Sequence, residues 1–139
     1  MAQVNFYALS SEGEESRLQF ACRLAEKALA LGHKVFIRVD SAAQQKRIDD
    51  LLWEFRASSF VPHSTVADSG NSESVLIGED FAAATNDVLI NLSANSCEQH
   101  EKFSRINEIL SAEPDSLAAG RNNYRYYQSQ GLSPQTHKL

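Results

Sequence analysis

Strand-like and helix-like segments alternate from the start of this chain, and this alternation restricts the possible folds more than any other feature. Residues 4–9 are typical of a strand, residues 14–31 of a helix, residues 34–39 of a second strand, and a second helix follows to about residue 55. A strand, helix, strand, helix order implies parallel pairing with right-handed crossovers. We therefore expect an α/β fold: a single domain with a mostly parallel twisted sheet and helices on both faces.

The middle of the chain is less regular. Residues 57–74 are rich in Ser, Asn and Asp, which predicts a long surface connection. Residues 75–77 form a short strand-like run, and the nearly continuous apolar run within residues 87–93 is typical of a buried strand. Residues 103–110 fit either a helix or a strand by their own pattern.

The C-terminal part of the chain contains one more predicted helix. Pro114 and Asp115 favour a helix start, and Gly131 favours its end. We expect the domain to cover residues 1–131 and residues 132–139 to form a loose C-terminal tail.

Composition excludes several classes of protein. With 139 residues the chain has the size of one domain, and its net charge of −5 opposes broad non-specific binding to nucleic acid. Cys22 and Cys97 are far apart, and the four histidines are isolated, so neither a disulfide framework nor a metal site is expected. No signal peptide or membrane span is visible, and a reducing cytoplasm suits the free thiols.

The order of elements resembles a mononucleotide-binding α/β fold, but the first strand-to-helix turn opposes a phosphate site. Its sequence, residues 10–15, has one glycine and three carboxylates where a phosphate would lie. No glycine-rich nucleotide motif and no nucleophile motif is present. We therefore predict a protein that is not an enzyme and needs no cofactor.

The last twenty residues contain no acid, and this segment is the best indication of function. Arg121, Arg125 and Lys138 give it a charge of +3, whereas residues 1–119 carry −8. Arg121, Tyr124, Arg125 and Gln128 have spacings that place them on one helix face. Arginine and tyrosine together suit an acidic peptide that carries an aromatic residue.

A second cluster combines aromatic residues with proline in the middle of the chain. Trp53 lies near the end of the second helix, and Phe60, Val61, Pro62 and His63 follow in a connection that cannot all be buried. Exposed aromatic clusters mark surfaces for protein partners.

Several motifs together resemble the chi subunit family of bacterial DNA polymerase III. The main one is Leu51-Leu52-Trp53-Glu54-Phe55 followed by Ser59-Phe60-Val61-Pro62-His63. The others are Phe6-Tyr7, Gly32-His33-Lys34-Val35, Asp87-Val88-Leu89-Ile90-Asn91-Leu92 and Tyr124-Arg125-x-Tyr127-x-x-x-Gly131. They span nearly the whole chain in the order found in that family.

The resemblance implies an accessory subunit of the clamp-loader complex, active in DNA replication, without chemistry of its own. It implies that Arg121, Tyr124, Arg125 and Gln128 bind the acidic C-terminal tail of the single-stranded-DNA-binding protein. It also implies that residues 103–110 form a strand.

The resemblance further implies a surface for the psi subunit of the clamp loader, at Trp53, Phe60, Val61, Pro62 and His63. In that family, a helicase partner has also been assigned to this surface. Contact with DNA would be indirect, no membrane would be involved, and the chain would be a monomer alone or form a 1:1 heterodimer. Two alternatives stay open: a direct single-stranded-nucleic-acid-binding protein, and a degenerate nucleotide-binding enzyme.

Overall fold

The computed structural model describes residues 2–55, 63–65, 75–79, 87–98 and 100–139. Within these ranges the chain forms three α-helices and seven strands. The helices are α1 (Glu14–Ala30), α2 (Ala42–Phe55) and α3 (Pro114–Ser129). The strands are β1 (Gln3–Ala8), β2 (Val35–Arg38), β3 (His63–Thr65), β4 (Val75–Gly78), β5 (Val88–Asn91), β6 (Arg105–Leu110) and β7 (Gln135–Lys138).

All seven strands belong to one sheet, in the order β3-β4-β2-β5-β6-β1-β7, and every adjacent pair is parallel. The longest pairing joins β1 to β6 over six residues, from Gln3 opposite Arg105 to Ala8 opposite Leu110. The predicted α/β fold with a parallel sheet is therefore confirmed.

Side chains of the central strands alternate between two apolar layers, one on each face of the sheet. On one face, Val35 and Ile37 pack with Ala21 and Cys22 of α1 and with Ile48 of α2. On the other face, a second layer forms under α3 from Phe6, Phe36, Leu76, Leu89, Ile106 and Tyr127. Helices thus cover both faces, as a parallel sheet requires.

Local sequence explains where α1 ends and α2 begins. Gly32 has φ +87°, a conformation that side chains oppose, and the backbone N–H of His33 closes the helix end on the Ala28 carbonyl at 3.0 Å. The Ser41 hydroxyl accepts a hydrogen bond from the Gln44 N–H at 3.1 Å and caps α2. The end of α1 agrees with the helix predicted over residues 14–31, and the end of α2 at Phe55 agrees with the predicted end near residue 55.

Three segments test the less certain sequence predictions. Arg105–Leu110 is a strand, which confirms the strand assignment for this part of residues 103–110. His63–Thr65 pairs with β4, so this part of the predicted surface connection is instead an edge strand. The prediction of a loose tail is wrong for Gln135–Lys138, because these residues pair with β1 as β7.

Within the part of the chain that is described, none of the helices has the length and apolar character of a membrane span. Both cysteines are buried as free thiols, and burial raises the pKa of Cys22 to about 12.

Candidate functional site

Helix α3 carries the candidate site, and a glycine lets it pack closely on the sheet. A Cβ added at Gly120 would lie 2.5 Å from the Leu110 Cδ1 atom of β6. No ordinary side-chain contact is that short, so any larger residue at position 120 would require the Leu110 side chain to shift. The glycine at position 120 therefore permits the short distance between α3 and β6.

The inner side of α3 is anchored by a buried polar cluster around Glu108, which is 1 % exposed. The Tyr127 hydroxyl and the Asn91 amide each donate to Glu108 Oε2 at 2.7 Å. The Asn123 amide lies 3.4 Å from Oε1, and the Cys97 N–H donates to the Tyr127 hydroxyl at 2.9 Å. The cluster therefore joins α3 to β5, β6 and the loop after β5.

Burial determines the ionisation of this cluster. It raises the pKa of Glu108 to about 7, against the opposing effect of the hydrogen bonds from Asn91, Tyr127 and Asn123. Burial also raises the pKa of Tyr127, and the neighbouring Glu108 adds to that shift. Tyr127 is fully buried and belongs to the apolar layer under α3.

The outer side of α3 brings the four predicted peptide-binding residues together. Arg121, Arg125 and Gln128 are exposed, and Tyr124 between them is half-buried. The Tyr124 ring lies 5.3 Å from the ring of Phe6, and its hydroxyl donates to the Pro134 carbonyl at 3.2 Å. Tyr124 is thus held in place between two exposed, charged side chains.

The charge on this surface is not neutralised. Among the described residues, neither arginine takes part in an ion pair, whereas Arg17 and Arg47 pair with Glu14 and Glu15. Two guanidinium groups one helical turn apart are therefore available for carboxylates from outside.

Strand β7 borders the site on the side away from β6. His137 stacks on Tyr7 at 4.9 Å and lies 3.0 Å from Asn5 Oδ1, on the α1 face of the sheet. Because successive strand residues point to opposite faces, Thr136 and Lys138 lie on the α3 face. The segment expected to be loose therefore adds a third cation, Lys138, on the α3 face of the sheet.

The carboxyl ends of the strands, where α/β proteins often bind phosphates, are acidic here. A cavity of about 230 Å³ lies there, lined by Glu14, Glu108 and Glu113 among others. Arg17 extends into it and donates to the Ile109 and Leu92 carbonyls at 2.9 and 3.0 Å. The Gly13 N–H, which would face a phosphate, donates instead to Glu113 Oε1 at 2.9 Å. No cluster of metal-ligating side chains occurs among the described residues.

A family model described as DNA polymerase III chi subunit, HolC, matches residues 1–135. The chain belongs to this family. The chi subunit of Pseudomonas aeruginosa is 37 % identical over 100 % of this chain and 98 % of the relative. The chi subunit of Escherichia coli is 24 % identical over 98 % of this chain and 97 % of the relative. The proposed resemblance to the chi family is therefore confirmed.

Solved structures share the fold at low sequence identity. A DEAD box protein from the hyperthermophile Methanococcus jannaschii superposes with a TM-score of 0.66, and T4 UvsW with 0.65, each at 10 % identity. The match covers 99 % of this chain but only 42 % of either of those chains. At this identity the likeness concerns the arrangement of strands and helices alone.

The second set of predicted chi-family site residues is only partly within the described structure. Trp53 lies in the last turn of α2, and His63 is the first residue of β3. Phe60, Val61 and Pro62 lie outside the described residues. The assignment of this surface to a psi subunit thus stays a prediction.

Sequence reasoning missed the polar cluster that positions α3. Asn91 and Glu108 were parts of predicted strands, and Asn123 lies between the site residues Arg121 and Tyr124 without suggesting a role. The sequence did contain one signal for this cluster, because Glu108 is a charged residue between apolar residues of a predicted strand. Its partners come from separate segments, so spacing along the chain could not identify them.

Proposed function

We propose that this chi-family chain is a non-catalytic accessory subunit of the DNA polymerase III clamp-loader complex. It links the replicase to the single-stranded-DNA-binding protein by holding that protein's acidic C-terminal tail, and it works in the cytoplasm. Arg121, Tyr124, Arg125 and Gln128 form the binding site. Family membership supports the assembly, and the chemistry of the α3 surface supports the ligand.

The observation that carries the proposal is the pair of exposed arginines with no carboxylate partner among the described residues. An acidic tail that ends in an aromatic residue offers carboxylates to Arg121 and Arg125 and a ring to Tyr124. On a protein with a net charge of −5, this is a local positive surface that an acidic peptide can approach.

The same proposal includes a psi subunit held by Trp53, Phe60, Val61, Pro62 and His63. A helicase that uses this surface would compete with psi. Trp53 lies on α2, which packs on the α1 face of the sheet, whereas the arginine pair lies on α3. Two partners on different helices could therefore bind at once.

Titration of a fluorescent tail peptide tests the site. We expect Arg125→Ala to weaken binding by roughly 1.5–3 kcal/mol, the value of hydrogen bonds to charged groups, and Arg121→Ala to weaken it less. Affinity should fall as salt concentration rises. Arg23→Ala, which removes an exposed arginine from α1, is the matched control for net charge.

Two outcomes would contradict the proposal. If Arg121→Ala and Arg125→Ala bound the peptide as the parent does, α3 would not be the site. If a single-stranded oligonucleotide bound more tightly than the peptide and lost affinity in the same variants, the direct nucleic-acid-binding alternative would replace it.

A further inference from the structure

Strand β7 is the last strand on its side of the sheet among the strands that the structure describes. It pairs with β1 from Gln135 opposite Asn5 to Lys138 opposite Ala8, and its other side has no partner strand in the described part of the chain. Gln135, Thr136 and Lys138 are exposed. An open strand edge offers its backbone N–H and C=O groups to another extended chain.

The pairing with β1 determines which backbone groups of β7 face the open side. The Leu139 N–H donates to the Ala8 carbonyl at 3.0 Å, so the Lys138 carbonyl, on the other side of the same planar peptide group, points away from β1. Backbone groups alternate between the two sides of a strand, so the N–H and C=O groups of Thr136 and Lys138 face the open side. Two exposed residues thus present both donors and acceptors at this edge.

The basic surface of α3 lies on the flank of the helix that is nearer to β7. Asn123 marks the opposite flank, because its amide donates to the Ala94 carbonyl after β5 at 3.2 Å. Tyr124 marks the β7 flank, because its hydroxyl donates to the Pro134 carbonyl just before β7. With about 3.6 residues per turn, the other site residues lie on the Tyr124 side, away from Asn123: Arg121, Arg125 and Gln128.

Arg121 and Lys138 also lie towards the same end of the sheet. Gly120, which precedes Arg121, lies against the Leu110 side chain; Leu110 pairs with Ala8, and Ala8 pairs with Lys138. A strand added beside β7 would place every second side chain on the α3 face, where Lys138 also points. Its side chains would therefore face the basic flank of α3.

Charge determines which kind of chain suits this edge. Residues 120–139 contain no acid, and among the described residues neither Arg121, Arg125 nor Lys138 takes part in an ion pair. A lysine on an edge strand opposes pairing with a second copy of the same edge. The same cations attract an acidic peptide.

We propose that an acidic peptide held by α3 adds to the sheet as a further strand along the open edge of β7. The inference rests on the proposed function, because the peptide is the acidic tail assigned there to Arg121 and Arg125. It adds how the backbone of that tail is bound. Hydrogen bonds to the main chain of Thr136 and Lys138 hold the peptide extended, and carboxylates on one of its faces meet the arginines.

An N-methyl scan of the acidic tail peptide tests this mode of binding. Each peptide carries one backbone N-methyl group, and its Kd for the full chain is measured by fluorescence titration. The amides of a strand alternate between its two sides, so we expect a loss of affinity of at least about fivefold at every second position of the paired segment and little change between. Losses without this alternation would overturn the added strand.

Hydrogen exchange measured by NMR locates the edge that is used. In the free chain the Thr136 and Lys138 amides should exchange faster than those of His137 and Leu139, which face β1. Saturation with the unmodified peptide should slow exchange at Thr136 and Lys138 by at least about tenfold. Unchanged exchange at these two amides in the complex would overturn the proposal.

Two variants at one position separate the backbone from the side chain. Thr136→Pro removes an N–H that faces the open side, where proline is compatible with an edge strand, and Thr136→Ala keeps that N–H. We expect Thr136→Pro to bind the peptide about three- to tenfold more weakly than Thr136→Ala, with a similar Tm. Equal affinities would overturn the proposal. If Thr136→Pro lost its cooperative transition, the N-methyl peptides, which leave the chain unchanged, would still decide.

Arg125→Ala distinguishes this inference from the proposed function. If the parent binds the peptide and Arg125→Ala weakens binding, but the N-methyl scan shows no alternation, the tail binds α3 alone and only the added strand is wrong. If the parent does not bind the peptide, both proposals are wrong. A dimer in size-exclusion chromatography that Thr136→Pro converts to a monomer would assign the edge to a second copy and overturn the inference.

Discussion

Glu108 shows how a single carboxyl group can hold an element in place and still reduce stability. It accepts hydrogen bonds from Asn91 and Tyr127 at 2.7 Å and has Asn123 at 3.4 Å, so its oxygens are matched by donors. The charge of Arg38 and the three hydrogen bonds lower its pKa, but burial outweighs them, so the carboxylate charge is only partly compensated within the core. Its hydrogen bonds to Asn123 and Tyr127 join α3 to β6.

We predict that Glu108→Gln removes a pH dependence of stability. In the folded state burial raises the pKa of Glu108 from 4.5 to about 7, so the folded protein binds a proton that the unfolded chain has released. The free energy of unfolding should fall as pH rises from 4.5 to about 7, by at most about 3 kcal/mol from this group. Urea unfolding across that range should show the fall in the parent and not in Glu108→Gln. Parallel pH profiles would contradict this account.

At the element scale, the closeness of α3 to β6 depends on Gly120. We predict that Gly120→Ala destabilises the fold by about 1–3 kcal/mol, because the new methyl group meets the Leu110 side chain. The double variant Gly120→Ala/Leu110→Ala removes the obstructing atoms. Its loss of stability in urea should therefore be smaller than the sum of the two single losses. Additive losses would show that the helix has room at this point.

Strand β7 gives a second test at this scale. Deleting residues 134–139 removes the pairing with β1, the carbonyl that holds Tyr124 and the cation Lys138. We expect a lower Tm and weaker binding of the acidic tail peptide. Deleting Leu139 alone, which removes one backbone hydrogen bond to Ala8, should have a small effect on both. An unchanged Tm after the longer deletion would mean that β7 contributes nothing to stability.

Sequence patterns identified the long elements and missed the short edge strands for a physical reason. Helix α1 and strand β5 have periodic or continuous apolar residues, and their own composition is sufficient to predict them. β7 reads Gln-Thr-His-Lys and is mostly exposed, so it has no apolar signal. It exists because β1, some 130 residues earlier, offers unpaired backbone groups. Likewise the spacing of Arg121 and Arg125 predicted a shared face, whereas the partner of Tyr124 at Pro134 required the tertiary structure.

At the scale of the whole molecule, the two proposed partner surfaces lie on different helices and should act independently. We predict that Trp53→Ala or Phe60→Ala weakens binding of a psi subunit by about 2 kcal/mol or more, as anchoring aromatic residues do. Affinity for the acidic tail peptide should be unchanged. Calorimetric titration with each partner measures both effects. A variant without a cooperative thermal transition would show that the aromatic residue belongs to the core instead.

The strand order also determines how late during synthesis β1 can pair with its neighbours in the sheet. β1 is made before the other described strands, but its neighbours in the sheet are β6 and β7, the last two of these strands to be made. Its backbone groups must therefore stay unpaired until more than a hundred further residues have been made. Contacts between such distant segments slow folding, because a long loop must close before they form. A chain that lacked β7 would lack this edge of the sheet, so the surface proposed for the acidic tail is completed only after Gln135–Lys138 have been made.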